Sequence, residues 1–480
     1  MPFREVKKAD KPKIIDKSKL TASTMGTSSK PTKPSSKQDE PSSLKQGLQL
    51  SSPAILSLGF LMLIAIGTVL LSLPIASFKP ISVLQAGFTA TSAVTVTGLN
   101  VVDTANYTTF GQMVIIALIQ FGGLGFMTFA ILVLTSLQGK MGLSGSMTAQ
   151  EALGTSGSEI TSTAKSVIKI AFITEFLGFI ALTLCLLPLK GLKSAMYEAF
   201  FLCISAFNNA GFALTGNNMT EYVHTPMVSF IISLLIITGG FGFLVILDII
   251  KHKRWQKFTT HTKVMIMGTV LLNVLGCVGY WLLERHNPHT LGTFNGVEQW
   301  FASWFMAVTS RTAGFNNIDY SQVTDASTLL TFILMFIGAG SMSTGGGIKI
   351  GTFVIIMATT WAYLRQRQQV TLFNRAIPEQ LVKKSFAVMS ISILMIGMAG
   401  FILTIIEPEG HIVDILFEVI SASATVGLSR NFTPQLTELG QIVIMFMMYM
   451  GRLGPLTLAY FIATPKPTRI KYPETHTLVG

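Results

Sequence analysis

Apolar runs recur eight times along this chain, at 53–73, 111–137, 168–189, 226–250, 264–283, 327–361, 382–406 and 439–464. Each is near or above the ~20 residues that a helix needs to cross a bilayer. The polar stretches between them alternate in kind. Those after the fourth and sixth runs are rich in Lys and Arg, as are both chain ends, and the one after the second is rich in Gly and Ser. Those after the odd-numbered runs contain a second, shorter apolar segment that leads into a glycine. The pattern predicts four units, each a span, a short embedded helix, an extended Gly segment and a returning span.

The Gly segments carry the repeat. They read Val96-Thr97-Gly98-Leu99, Asn209-Ala210-Gly211-Phe212, Thr312-Ala313-Gly314-Phe315 and Thr425-Val426-Gly427-Leu428, with glycines 113, 103 and 113 residues apart. Ten residues before each glycine stands an aromatic: Phe88, Phe201, Trp304 and Phe417. A second glycine cluster follows each segment after about 25 residues, at 122–125, 239–242, 338–340 and 451–454. The units are expected at 51–140, at 141–255, which opens on a linker running to Thr163, at 256–366 and at 367–480. A basic disordered tail occupies 1–50, where too few large apolar side chains are present to offset the entropy of ordering.

Charge sets the orientation. Of 35 Lys and Arg, six (Lys79, Lys190, Lys193, Arg285, Arg311, Arg430) fall on the side of the Gly segments and two (Lys349, Arg452) within spans. The remaining 27 lie on the opposite side, which is therefore cytoplasmic, with both termini. The Gly segments face outward, beneath a net-negative entrance that attracts cations. The +12 net charge is spread over tails and short inner loops, so topology accounts for it and nucleic acid is not expected as a partner. Membrane lipid is. Cys185, Cys203 and Cys277 have no paired spacing and read as packing residues.

Two places break the apolar pattern at membrane depth. The run at 327–361 is interrupted by Gly338-Ala339-Gly340-Ser341-Met342-Ser343-Thr344-Gly345-Gly346-Gly347, then Ile348-Lys349. Five glycines, at about 1 kcal/mol each, make poor helix, and irregular backbone at this depth must be buried in protein or line a wet cavity. A mobile plug beneath the Gly segments is the expectation, and a kink for close packing is the alternative. Arg452 falls near or just past the midplane and must face a cavity or a partner. Glu175 is an ionisable residue inside a span, near its cytoplasmic end.

Enzyme chemistry finds no support. Gly154-Thr155-Ser156-Gly157 has the spacing of a serine nucleophile but no preceding strand and no His partner in view. Glu175 and Asp248 are isolated acids, and no His-Glu-x-x-His occurs. The chain has neither a P-loop nor a Gly-x-Gly-x-x-Gly after a strand, so no organic cofactor is expected here. A dehydrated cation, in contrast, needs carbonyl oxygens to replace its water. Glycines flanked by small residues let the backbone aim carbonyls at a common axis.

With four such segments the chain resembles the Trk/Ktr/HKT potassium transporters over about 52–464, and the runs at 343–349 and 451–454 look most like the Ktr-system membrane subunit. The resemblance implies an all-α integral membrane protein with four tandem span–pore-helix–filter-loop–span repeats, eight transmembrane spans in all, around one pore. It implies potassium bound at Val96, Thr97 and Gly98, Asn209, Ala210 and Gly211, Thr312, Ala313 and Gly314, and Thr425, Val426 and Gly427. It makes Gly340, Ser341, Ser343, Thr344, Gly345, Gly346, Gly347 and Lys349 an intramembrane gate, with Arg452 as an electrostatic barrier. It further implies uptake across a bacterial plasma membrane, stimulation by or symport with sodium, a homodimer, and a cytoplasmic ring of nucleotide-binding regulatory subunits. Sodium-selective plant relatives carry Ser at the first filter glycine, whereas this chain keeps Gly98. Only the fourth segment approaches the Thr-Val-Gly of potassium channels, so secondary transport of another cation such as sodium is the alternative.

Overall fold

Four times along the chain a helix, a short helix, a left-handed Gly segment and a further helix follow in order. The first set is α1 (Ser52–Leu71), α2 (Val83–Thr95), Gly98 and α3 (Thr109–Gly123). The second is α4 (Gly157–Lys190), α5 (Leu192–Phe207), Gly211, then α6 (Pro226–Gly240) and α7 (Phe243–His252). The third is α8 (Thr260–Glu284), α9 (Gly296–Thr309), Gly314, then α10 (Asp325–Phe336) and α11 (Ile350–Leu364). The fourth is α12 (Glu379–Ile406), α13 (Ile412–Ser423), Gly427 and α14 (Glu438–Leu453), preceded by a small hairpin of β1 (Thr371–Leu372) and β2 (Arg375–Ala376). This computed structural model describes residues 52–125 and 157–454, with side chains over 57–125 and 165–454. The N-terminal tail, most of the linker between the second and third apolar runs including Gly154, Thr155 and Ser156, the C-terminal ends of the second and eighth runs, and the C-terminal tail lie outside the described residues.

Local chemistry explains the boundaries. Ser82 with Gln85, and Asn295 with Glu298, close capping boxes at the starts of α2 and α9. Threonine stands at the N-cap of α3, α6, α10 and α14, and Thr108, Thr324 and Thr437 accept from the helical N–H groups. The same threonines tie each helix to the end of the first helix of its own unit or to the residues that follow it. Thr324 N–H and hydroxyl both donate to Glu284 Oε1 at 2.9 and 2.8 Å, and Thr437 does the same to Glu407 Oε1 at 2.8 and 2.7 Å. Thr108 donates its hydroxyl to Ile75 O at 2.6 Å.

The units close on one another. α3 packs against α5, α6 against α9, α10 against α13, and α14 returns to α2. The short helices are the centre of this ring: Phe88, Phe201 and Phe417 are fully buried, and every residue of α2 from Ala86 to Thr95 is buried. A helix buried on all sides has no amphipathic signal, and small polar residues such as Thr89, Thr91 and Ser92 let its neighbours approach.

The long helices instead expose apolar side chains outward, for example Phe176 and Leu184 on α4, Leu271 on α8 and Leu394 and Phe401 on α12. That surface suits a hydrocarbon solvent. Among the described residues, Lys165–Lys190, Thr260–Glu284 and Glu379–Ile406 are single helices long and apolar enough to cross a bilayer. The run expected as one span at 226–250 is two helices bent by 93°. Gly242 causes the bend: it lies at φ +98, and a Cβ there would stand 2.5 Å from Ser341 O. α4 also starts at Gly157, inside the stretch expected to be linker.

Candidate functional site

The four short helices all end in the same backbone sequence. Two residues before each glycine the chain turns left-handed, at Val96 (φ 57), Asn209 (φ 61), Thr312 (φ 96) and Thr425 (φ 48). The glycine is left-handed again, with φ of 97, 71, 72 and 93 at Gly98, Gly211, Gly314 and Gly427. The residue between, Thr97, Ala210, Ala313 or Val426, is not. Alternating hand turns successive carbonyls toward one side, at a steric cost that non-Gly residues bear only where the surroundings hold them. Here all twelve residues lie in the interior, and the eight non-glycines are at most 1% exposed.

These segments touch in a closed cycle. A Cβ on Gly98 would stand 2.5 Å from Ala210 O, one on Gly211 2.8 Å from Ala313 O, one on Gly314 2.3 Å from Val426 O and one on Gly427 2.0 Å from Thr97 O. Each glycine therefore abuts the carbonyl just before the next glycine, and the fourth returns to the first. Only a residue without Cβ allows that approach at all four places. The sequence-predicted filter residues are thus brought into one ring of backbone oxygens, the donor set that suits a dehydrated monovalent cation.

The interrupted run forms a loop directly against this ring. Its base pairs with itself, Gly338 N–H donating to Ile348 O at 3.0 Å and Ala339 N–H to Gly346 O at 3.3 Å. Its flank rests on the bend between α6 and α7, where Gly340 N–H meets Gly240 O at 2.9 Å, Phe243 N–H meets Met342 O at 2.9 Å, and Ser341 O faces Gly242. Ser343 closes the turn on Gly340 O at 2.7 Å.

Its tip reaches three of the four segments. Thr344 Oγ1 is 3.3 Å from Asn209 Oδ1, while Asn209 and the Thr312 hydroxyl are joined at 3.0 Å whichever way the amide is turned. A Cβ on Gly345 would stand 2.3 Å from Thr312 Oγ1, and one on Gly346 2.0 Å from Thr425 Oγ1. Gly347 is left-handed at φ 68, and Lys349 donates to the carbonyls of Gly345 and Gly346.

Arg452, in the last turn of α14, adds the remaining unit. Its Nη1 donates to Thr344 O, and its Nη2 donates to Gly122 O at 2.6 Å and Gly123 O at 3.2 Å. One guanidinium thus clamps the loop tip to the end of α3. Among the described residues no carboxylate pairs with it. The predicted gate residues and Arg452 therefore form a single cluster with the ring, on one side of it.

Residues 51–472 match the family described as TrkH, cation transport protein. The chain belongs to that family. The Ktr system potassium uptake protein B of Bacillus subtilis is 43% identical over 440 residues, 90% of this chain and 98% of the relative. The protein of the same name from Vibrio alginolyticus is 43% identical over 434 residues, 89% and 95% of the two chains. The potassium/sodium uptake protein NtpJ of Enterococcus hirae is 36% identical over 446 residues, 90% and 98%. The crystal structure of the potassium transporter TrkH from Vibrio parahaemolyticus shares the fold at a TM-score of 0.68 and 19% identity, over 88% of this chain and 87% of that one. TrkH-family proteins move ions and are not enzymes. The family and the apolar helices make this a membrane transporter, and the bacterial relatives support a plasma-membrane location.

One feature of this TrkH-family chain was not visible in its sequence. Arg311, counted above with the outer-side cations, is 7% exposed behind the third segment. It donates to Asn273 Oδ1 at 2.9 Å, to Thr269 O at 3.4 Å and to Gly338 O at 3.4 Å, joining the segment to α8 and to the base of the loop. Its position directly before Thr312 was the one available signal. Arg311→Gln should lower the apparent melting temperature in detergent by a few degrees, since losing partners of buried acceptors costs about 1–3 kcal/mol; an unchanged midpoint would contradict the bracing role.

Glu175 is buried and accepts from Gln120 Nε2 at 3.1 Å and Asn208 Nδ2 at 3.4 Å, joining α3, α4 and α5 beside the second segment. Asp248 is elsewhere, bonded to His252 and to Thr259 and Thr262 at the start of α8. At the N-terminal end of α9, Glu298 accepts from Asn295 N–H and meets His224 Nδ1 at 3.0 Å. The His224 hydrogen bond, with Asn295 second, holds that carboxyl below its ordinary range.

Proposed function

We propose that the chain takes up potassium along the axis of the glycine ring, through a pore built from four span–pore-helix–filter–span repeats and eight spans. The observation that carries this reading is the cyclic abutment of Gly98, Gly211, Gly314 and Gly427 on carbonyls of the next segment. Potassium occupies the ring at Val96, Thr97, Asn209, Ala210, Thr312, Ala313, Thr425, Val426 and the four glycines. The loop at 338–347 is the gate and stands closed in this arrangement, with Lys349 and Arg452 as its fastenings and as fixed positive charges on the path. Opening requires the tip to leave Thr312 and Thr425 and Arg452 to release Thr344 O or the end of α3.

Potassium as the substrate is supported by the names of the Bacillus and Vibrio relatives, and the name of the Enterococcus one, a potassium/sodium uptake protein, supports sodium as a transported ion; stimulation of potassium uptake by sodium is part of the proposal. A homodimer controlled by a ring of cytoplasmic nucleotide-binding subunits completes the proposal, with both chain termini cytoplasmic. Docking is assigned to the basic inner loops at 251–263 and 365–384.

The test is rubidium uptake into proteoliposomes holding the purified chain, with unlabelled potassium or sodium as competitor. Saturable uptake blocked by potassium well below the sodium concentration needed supports the reading. Absence of cation flux with folded protein and its cytoplasmic partner present would sink it.

A further inference from the structure

The four segments share a backbone path but are not held in the same way. In the first, second and fourth, the N–H just before the glycine donates to the carbonyl five residues earlier: Thr97 to Ser92 O at 2.8 Å, Ala210 to Ser205 O at 2.7 Å and Val426 to Ser421 O at 2.8 Å. All three acceptors are serines, six residues before their glycines. Their hydroxyls differ. Ser92 Oγ accepts from Gly98 N–H at 3.0 Å, and Ser421 Oγ accepts from Gly427 N–H at 3.0 Å. Ser205 Oγ is buried with no partner.

The second segment is tied from the other direction, Asn218 Nδ2 donating to Gly211 O at 3.1 Å. In the third, Val308 stands at the serine's place, and Thr309 Oγ1 bonds both Phe315 N–H, at 2.8 Å, and Phe315 O, at 2.9 Å.

The two serine ties act on particular carbonyls. Gly98 N–H and Thr97 C=O belong to one planar peptide unit, as do Gly427 N–H and Val426 C=O, and in a trans peptide the two groups point opposite ways. Fixing the N–H on a helix hydroxyl outside the ring therefore aims the C=O into it. These are the oxygens against which Gly427 and Gly314 close, at 2.0 and 2.3 Å from their Cβ positions. The Ala210 and Ala313 carbonyls have no such side-chain tie: Gly314 N–H has only a long backbone bond, to Thr309 O at 3.4 Å, and Ser205 Oγ does not meet Gly211 N–H.

We propose that Ser92 and Ser421 are specificity-determining positioning residues, which set the direction of the Thr97 and Val426 carbonyls and with it the discrimination between potassium and sodium. Ser205, of the same type, place and backbone frame, is not one. The inference rests on the reading of the ring as the ion filter. A loosely held carbonyl can follow the smaller sodium ion inward, whereas a tethered one cannot, so losing a tether weakens discrimination more than it weakens transport.

The experiment compares Ser92→Ala, Ser421→Ala and Ser205→Ala in the full chain, in proteoliposomes, by the sodium and potassium concentrations that halve rubidium uptake. Melting temperature in detergent is followed in parallel. The ratio of those concentrations is expected to fall by about three- to tenfold for Ser92→Ala and Ser421→Ala, the scale of one ordinary hydrogen bond, and to hold for Ser205→Ala. Ser92→Thr and Ser421→Thr should restore it, because Val308 shows that this position takes a β-branched side chain. An equal effect of all three Ala variants, or no effect of the first two while Gly98→Ser alters the ratio, overturns the tether and leaves the filter standing. If Gly98→Ser leaves the ratio unchanged as well, the filter reading itself has failed. Should an Ala variant not fold, its Thr counterpart decides: a ratio below wild type with the hydroxyl present contradicts the proposal.

Discussion

Replacing Arg452 by Ala is expected to raise rubidium uptake about tenfold or more at equal protein, because one charge-assisted hydrogen bond contributes about 1.5–3 kcal/mol and each 1.4 kcal/mol shifts an equilibrium tenfold. The substitution removes the bonds to Thr344 O, Gly122 O and Gly123 O together. It therefore frees the loop tip from the first unit and takes a positive charge off the cation path. Arg452→Lys should fall between the two, since an ammonium keeps the charge but cannot fork between carbonyls on two elements. Uptake equal to wild type in Arg452→Ala, with protein of normal melting temperature, would count against both the clamp and its place on the path.

Deleting Gly345, Gly346 and Gly347 is expected to act in the same direction with a different signature. These glycines let the loop tip lie against the Thr312 and Thr425 hydroxyls, where a Cβ would approach to 2.3 and 2.0 Å. The deletion also removes both carbonyls that Lys349 holds. Uptake should rise while the order of preference among potassium, rubidium and sodium is kept, because the carbonyl ring belongs to other segments. Competition curves on the same proteoliposomes separate the two effects. A large change of preference with a normal closed state would show that the loop is part of the selective site and not its gate.

Much of this arrangement was legible in the sequence because its main requirement is a backbone one. No Cβ can be accommodated where four segments abut, so the glycines at 98, 211, 314 and 427 stand at regular spacing, and a 103–113-residue period is visible without coordinates. The interrupted run was legible for the same reason, since glycines and hydroxyls at 338–347 contradict the apolar pattern around them.

What stayed hidden depends on which neighbour a side chain meets. Ser92, Ser205 and Ser421 occupy the same place in their units, yet only two of them meet a glycine N–H. Arg311 counts as an outer-side charge by position, but the end of α9 turns it inward onto Asn273 and Gly338 O. The fourth apolar run reads as one span, and its 93° bend appears only when Gly242 is seen against Ser341 O. Trp304, the one departure from Phe at the shared aromatic position, is also the one that is only half-buried.

The central claim, a potassium-selective path through the four glycines, is tested most directly at Gly98. A side chain there must adopt φ +97 and would place its Cβ 2.5 Å from Ala210 O, so it shifts the carbonyls of the first two segments. The measurement is the ratio of sodium to potassium concentrations that halve rubidium uptake, in proteoliposomes of the wild type and of Gly98→Ser. The account predicts a clear potassium preference in the wild type and a marked loss of it in Gly98→Ser, with rubidium uptake persisting. An unchanged preference in folded Gly98→Ser would contradict it.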